Sequence, residues 1–310
     1  MEKWNGSSVT EFLLLGLSED PHVNIILFVL FLCTYLFTII GNVSLITACV
    51  IEPRLHTPMY FFLGNLSILD IFFSTVHEPL ILAQLLSRTT ISFSGCAAQM
   101  YTYLLLGITE CELLAVMAYD RYAAILFPLR YSVIMSRSIC VKMVVCCWII
   151  GGLLGLIDTV FALQLPLCGR NIINHFCCEA TSLLQMSCGD TFFTEMVIFS
   201  VAIFALLIPT FFTLVSYVRI ITTIMKIRSS EGRRKVFSTC ASHLIVVISF
   251  YGTAIFMYMK PKSIDTINQD KIISLFYTVI PPLLNPVIYS LRNKDVKVAL
   301  LKVTKRSNFC

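Results

Sequence analysis

Hydrophobic positions along this chain gather into seven runs of about 20 residues or more, parted by short polar stretches. The runs cover residues 25–50, 58–82, 96–125, 141–163, 196–224, 237–259 and 272–290. Each is long enough for a helix to cross a hydrocarbon layer of about 30 Å. Each is also too long for a single barrel strand and lacks the alternation a strand needs, so helices are the remaining way to span. The pattern predicts an all-α membrane protein, a seven-transmembrane helix bundle. Residues 1–24 form an extracellular N-terminal tail, 25–290 the transmembrane domain and 291–310 a cytoplasmic amphipathic helix and tail.

Composition agrees with this pattern. Of 310 residues, 57% are hydrophobic and 13% charged, about half the charge fraction of a soluble chain. The net charge of +5 carries more meaning by location. Of the 23 Lys and Arg, only Lys3, Arg88, Arg170, Lys260, Lys262 and Lys271 fall on one side of the predicted bundle. The other 17 sit at the opposite ends of the spans, including Arg219 to Lys235 and Arg292 to Arg306. Under the positive-inside rule the N-terminus is outside and the C-terminus inside, and no nucleic-acid partner is needed to explain the basic clusters. Met1 to Asp20 shows no cleavage pattern, so the first span itself is expected to direct insertion. Asn5-Gly6-Ser7 is a glycosylation sequon in the external tail, whereas the sequons at Asn42 and Asn65 fall in or beside spans and are expected to be inert.

Polar residues inside the runs are few, and several stand in distinctive strings. Met117 to Tyr131 reads MAYDRYAAILFPLRY and places Asp120 beside Arg121 at the end of the third run. The pair is costly in lipid, which puts it at the membrane edge, where Arg can reach water. A plain stop-transfer charge is the other reading. Gly41-Asn42 lies midway in the first run, where a small residue permits close packing and an amide offers a buried hydrogen bond. Asp70 lies 12 residues past Pro58 and Glu110 lies 11 before Arg121, roughly 18 and 16 Å from the same face. His77 and Glu78 lie higher and read as a solvated rim, with ligand contact as the alternative. Pro209 predicts a kink in the fifth span, and Pro286 another in the seventh, with Asn285 satisfying the freed backbone groups. Lys294 to Arg306 reads as a short amphipathic eighth helix with Val296, Leu300 and Val303 toward lipid.

Two stripes share helix faces: Leu104, Gly107, Ile108 and Cys111, flanked by Tyr103, and Tyr251, Ala254, Ile255 and Tyr258. Ordinary packing would explain either. Facing one another they would close a mostly apolar small-molecule pocket, in which Gly107 leaves room for a ligand. Cys96, Cys168, Cys177, Cys178 and Cys188 fall on the oxidising side and allow two bridges with one thiol over, in a connectivity that spacing alone does not determine. His175 with Cys177 or Cys178 could hold a metal, though disulfide demand explains these cysteines more simply.

MAYDRY with PLRY, LHTPMYFFLGNLS from Leu55, KVFSTCASHL from Lys235 and PPLLNPVIYSLRN from Pro281 together resemble the olfactory receptor family of rhodopsin-like G-protein-coupled receptors. The resemblance implies a plasma-membrane receptor, ciliary in olfactory neurons, that binds a small, moderately apolar odorant and activates a heterotrimeric G protein with a stimulatory olfactory α subunit, raising cyclic AMP. It implies a pocket formed by the two stripes with Ala202, Leu206, Leu275 and Thr278, and coupling through Asp120, Arg121, Tyr122, Tyr217, Asn285, Pro286 and Tyr289. It also implies disulfides Cys96–Cys178 and Cys168–Cys188 with Cys177 free, and a sodium ion between Asp70 and Glu110, against which stand two neutral acids in a polar network. No other cofactor is expected. Glu112 and the Leu126-Phe127 pair depart from the family pattern, the second in the loop that should meet the G protein. Glu78, Asp158 and Glu179 would favour an amine if turned toward the pocket. A transporter using Asp70 and Glu110 is the rival, but it predicts related halves with matching broken helices, which this chain lacks. No nucleophile–base set or metal quartet in a span points to an enzyme.

Overall fold

A computed structural model of the chain describes residues 9–18, 20–168, 171–226, 229–259 and 267–292, together with Val296 and Val298. Within them the side chains of 232, 234, 235, 238, 239, 257–259, 267–270 and 290–292 are not described. Seven long helices make up the bundle: α1 (Pro21–Ile51), α2 (Pro58–Leu86), α3 (Phe93–Leu126), α4 (Arg137–Leu163), α5 (Phe192–Met225), α6 (Ser230–Met259) and α7 (Ile267–Arg292). Six contain a window long and apolar enough to cross a membrane, while the apolar part of α6, Cys240–Phe256, is shorter. The helices overrun the apolar runs at most ends, and two of them are started by capping side chains. Asp20 accepts a hydrogen bond from the His22 backbone N–H ahead of Pro21, and Ser92 accepts from that of Gly95. The outward faces are apolar, with Ile26, Phe37, Phe211 and Phe212 exposed, as a bundle solvated by lipid requires.

The proline breaks are absorbed in two ways. In α5 a π-helical turn, Ile203–Leu207, immediately precedes Pro209. Pro209 cannot donate to the carbonyl one turn earlier and its ring crowds that carbonyl, so the looser turn relieves the conflict while the helix runs on. In α7, Pro286 likewise frees the carbonyl of Pro282. That carbonyl accepts a hydrogen bond from Asn42 Nδ2 of α1 at 3.1 Å. Next to it, a Cβ on Gly41 would lie 3.0 Å from the Pro286 ring, so only glycine lets α1 come this close. The amide expected to serve the break, Asn285, instead donates to both oxygens of Asp70, each at 3.1 Å.

One end of the bundle carries a cap that the all-α reading did not include. β1 (Glu11–Leu14) pairs antiparallel with β2 (Thr89–Ser92) and parallel with β3 (Ile172–Ile173). Phe12 stands opposite Ile91 and Leu13 opposite Ile172. Phe12 and Leu14 are buried with Cys96, Met100, Ile173 and Leu183, so this stretch, expected in a free tail, is packed structure. Disulfides join Cys96 to Cys178 and Cys168 to Cys188, tying the α4–α5 connection to the top of α3. Cys177 is free and buried. Asn5 and most of the predicted eighth helix, including Leu300 and Val303, lie outside the described residues. Val296, expected toward lipid, is buried against the main core with Tyr289.

Replacing Asn42 by Ala should leave the Pro282 carbonyl buried without its donor and cost about 1–2 kcal/mol, read as a lower melting temperature of the solubilised protein. Gly41→Val should cost more, since the Pro286 ring cannot retreat without moving α7. Unchanged melting in both variants would remove this contact from any structural role. Burial and the neighbouring Glu179 carboxylate push the Cys177 thiol well above its ordinary range. Cys177 should therefore resist maleimide until the protein is unfolded, while non-reducing peptide maps return the other four cysteines as two bridges. Rapid labelling of Cys177 in the folded protein would contradict that burial.

Candidate functional site

Glycines on α4 build one wall of a cavity. Gly151 and Gly155 are four residues apart, and a Cβ on either would collide with α3, at Thr109 and the Leu105 carbonyl from Gly151 and at the Leu105 backbone N from Gly155. The two helices therefore touch backbone to backbone, as small residues at this spacing allow. Asp158 continues the same face one turn on, so the close approach aims it at α3. Across from it α5 presents Ile198, Val201, Ala202, Ala205 and Leu206, the last four spanning the entry to the π turn, and Tyr277 of α7 closes the far side. Between them lies a narrow cavity, about 440 Å³ of atom-free space when its mouth and the solvent beyond are counted.

Seven of the predicted pocket residues line this space: Tyr103, Leu104, Gly107, Ile108, Cys111, Ala202 and Leu206. The others are elsewhere. Tyr251 is buried and donates to the Cys111 backbone carbonyl at 2.6 Å, bracing α6 on α3 behind the cavity. Ala254 and Ile255 pack in the main core beside it. Thr278 donates to the Ser274 carbonyl one turn back along α7, and Leu275 packs with Phe31, Ile81 and Cys177 toward α1 and α2. The Tyr258 side chain lies outside the described residues. The helical period identified one face of α6 correctly as inward, but that face meets α3 itself and not the opening. Room beside Gly107 is taken by the Tyr277 hydroxyl, which a Cβ there would approach to 2.9 Å. Asp158, Ile198, Val201, Ala205 and Tyr277 were missed as lining, although the spacing of Gly151, Gly155 and Asp158 was there to be read.

Deeper in the bundle, Asp70, Glu110 and Asn285 meet in a buried polar cluster. Glu110 Oε1 and Asn285 Oδ1 have no hydrogen-bond partner among the described residues. Two carboxylates with an amide and unfilled acceptor atoms form an oxygen-rich set of the type a hard monovalent cation accepts. His77 and Glu78, expected at a solvated rim, are fully buried, His77 Nδ1 lying 2.7 Å from the Phe73 carbonyl and Glu78 accepting from Thr34 Oγ1 at 3.3 Å. The α2 helix carries them inward because Phe73, His77 and Tyr103 stack into one aromatic cluster. Glu112 is half-buried on a different face of α3 from Glu110.

At the other end Asp120 is buried and paired with Arg121. Tyr131, from the short helix Tyr131–Ile134, donates to Asp120 Oδ1 at 2.6 Å, and burial with this carboxylate raises the Tyr131 hydroxyl above its ordinary range. Tyr217 of α5 and His243 of α6 hydrogen-bond at 2.6 Å, a contact for which the isolated residues offered no signal. Around them Ala118, Tyr122, Leu126, Ile220 and Cys240 pack together. Phe127 meets Tyr122 edge to face, while Leu129 is 97% exposed. Tyr289 is buried in the main core.

Beneath the cap, His175, Cys177 and Glu179 bring one donor atom each within 4.8 Å of one another. Cys177 Sγ lies 3.3 Å from His175 Nδ1 and 3.4 Å from Glu179 Oε1, which also accepts from Ser274 Oγ. The disulfide claims Cys178, so the thiol left beside His175 is Cys177.

The architecture and the polar strings can be set beside known proteins. Residues 31–306 match the family described as olfactory receptor. The chain is 52% identical over 308 residues to Olfactory receptor 2D2 of Homo sapiens, with 99% of both chains covered. It is 49% identical over 316 residues to Olfactory receptor 13C9 of Homo sapiens, covering 100% of this chain and 99% of that one. With Olfactory receptor 5M5 of Mus musculus it shares 49% over 308 residues, 99% and 97% of the two chains. Likeness at this level along the whole length, on seven helices with these strings in place, settles the family: the chain belongs to the olfactory receptors.

Proposed function

We propose that the cavity between α3, α4 and α5 is the odorant site and that its occupancy opens the opposite end of the bundle to a stimulatory olfactory-type G protein, raising cyclic AMP. The coarser reading is plain from family membership: this is a multi-pass plasma-membrane odorant receptor, a signalling protein and not an enzyme. The observation that carries the finer one is the cavity itself, mostly apolar, walled by α3, α4 and α5 and bordered by the π turn of α5. The disulfide-bearing end faces outside, where such bridges persist, and the N-terminus with it.

Coupling belongs to the Asp120 end. Arg121 is held by Asp120, which Tyr131 also engages. Release of Arg121 toward the G-protein α subunit requires that this pair part, with Tyr122, Tyr217 and Tyr289 rearranging around it. The ligand drives this only by its greater affinity for the open state. Leu126 is packed inward against α5 and α6, so its departure from the family pattern affects helix packing, whereas Phe127 remains available at the surface. The Asp70–Glu110–Asn285 cluster is proposed to hold a sodium ion that supplies charge compensation when bound, with Asp70 kept in place by the Asn285 amide.

Cells expressing the receptor with the olfactory G protein should raise cyclic AMP to members of a broad odorant panel. Ala202→Phe should weaken that response at least tenfold at undiminished surface expression, and Arg121→Ala should abolish it. Equal potency in Ala202→Phe would place the odorant elsewhere. For the cation, sodium should raise the melting temperature of the purified receptor above that in N-methylglucamine, and Asp70→Asn should remove the difference. Equal melting in the two salts would leave two neutral acids in a polar network.

A further inference from the structure

The cavity between α3, α4 and α5 is mostly apolar, and Asp158 is its one carboxylate among the described residues. Asp158 is 4% exposed, and its Oδ1 has no hydrogen-bond partner among the described residues. It borders this cavity and also a smaller adjoining one, whose other walls include Met100, Thr181 and Glu179. The two acids there are not alike. Glu179 already accepts hydrogen bonds from Ser274 Oγ and, at 3.3 Å, from Thr181 Oγ1, whereas Asp158 accepts none among the described residues. No Lys or Arg lines either cavity among the described residues.

A buried carboxylate in a membrane bundle calls for a partner that brings positive charge or hydrogen-bond donors. Such a partner must reach Asp158 through the cavity, since the glycine contacts of α4 close the other approach along this face. An ammonium group satisfies the site best. It donates charge-assisted hydrogen bonds to the carboxylate, and Tyr103 and Tyr277 place aromatic rings in the same lining. An alcohol offers one neutral donor, and a carboxylic acid adds a third negative group to a space that already holds two. Leu104, Ile108, Val201 and Leu206 provide an apolar channel for a hydrocarbon tail.

We infer that the ligand of this receptor is an alkyl amine whose ammonium group is held by Asp158 with its tail between α3 and α5. The inference rests on the reading of this cavity as the odorant site.

The test is the cyclic AMP response to n-alkyl primary amines, hexylamine and its shorter and longer homologues, beside alcohols, aldehydes and carboxylic acids of equal length. Amines should be at least tenfold more potent than the matched alcohols, and Asp158→Asn should collapse that ratio toward one. As a second measurement, hexylamine should raise the melting temperature of purified wild-type receptor but not of Asp158→Asn, and hexanol should do so in neither. Preference for aldehydes would make Asp158 a neutral donor and overturn the inference, as would preference for acids, an amine response indifferent to Asp158→Asn, or absence of amine-specific stabilisation. If in those cases Ala202→Phe still weakens the effective odorant, the site stands and only the amine fails. If Ala202→Phe changes no response, the site reading itself fails.

Discussion

The bundle depends on how α7 survives Pro286. A proline in a membrane helix leaves a carbonyl that neither water nor lipid can satisfy, and here it is the carbonyl of Pro282. Asn42 supplies the donor from α1, and Gly41 gives the proline ring the space to stand against that helix. Because Asn42 has taken this task, Asn285 is released to hold Asp70, and through Asp70 the seventh helix is joined to the second and to Glu110 on the third. One backbone defect thus specifies contacts among four helices. Each donor in the cluster is committed, so moving any one of these helices exposes a buried acceptor, which makes the arrangement resist small displacements and change by discrete steps.

A second constraint shapes the binding cavity. The α3–α4 contact is backbone to backbone at Gly151 and Gly155, which leaves no side-chain layer between the helices at that level. One turn on, Asp158 borders the cavity together with Leu104, Gly107 and Ile108 of α3. On its other side α5 is not a regular helix. Ile198, Val201, Ala202, Ala205 and Leu206 follow one another at steps of three and four residues and so share one wall, with the π turn Ile203–Leu207 at its lower end. Pro209 explains the turn.

Much of this was legible in the chain. Seven apolar runs gave the seven helices, because a span in lipid has no other way to satisfy its backbone. Their true ends were not in the hydropathy: α3 begins at Phe93 because Ser92 caps it, and α5 at Phe192, four residues before its predicted start, because a helix continues through the headgroup layer whether or not its residues are apolar. Every member of the α3 stripe borders the cavity. The matching stripe of α6 was inward too, yet Tyr251 spends its hydroxyl on the Cys111 carbonyl, and period alone cannot distinguish a face that meets a helix from one that meets a cavity. Phe12 to Leu14 fell within the segment read as a tail, since a strand of four residues whose partners lie some eighty and one hundred sixty residues away has no local signature. His77 and Glu78 were misjudged from depth alone, because depth along a helix says nothing of what packs over it.

The cavity and the coupling end are connected by α3 and α5, and the two helices differ in stiffness. From Ile108 and Cys111 to Asp120, α3 is a regular helix buried on several sides, with Glu110 in the polar cluster and Cys111 bonded to Tyr251. A ligand beside it meets a rigid rod. Against α5 the same ligand meets Ala202, Ala205 and Leu206 at the π turn, where the regular hydrogen-bond ladder is already broken and reshaping it costs least. Below the turn, α5 carries Tyr217 into its bond with His243 and packs Ile220 and Ile224 with Cys240 of α6, beside Tyr122 on the helix that bears Arg121. On the proposed reading, α5 is the element a ligand would move and α3 the post against which it would do so. Ligands that fill the space without pressing on the π turn would bind both states alike, and binding of that kind shifts no equilibrium however tight it is.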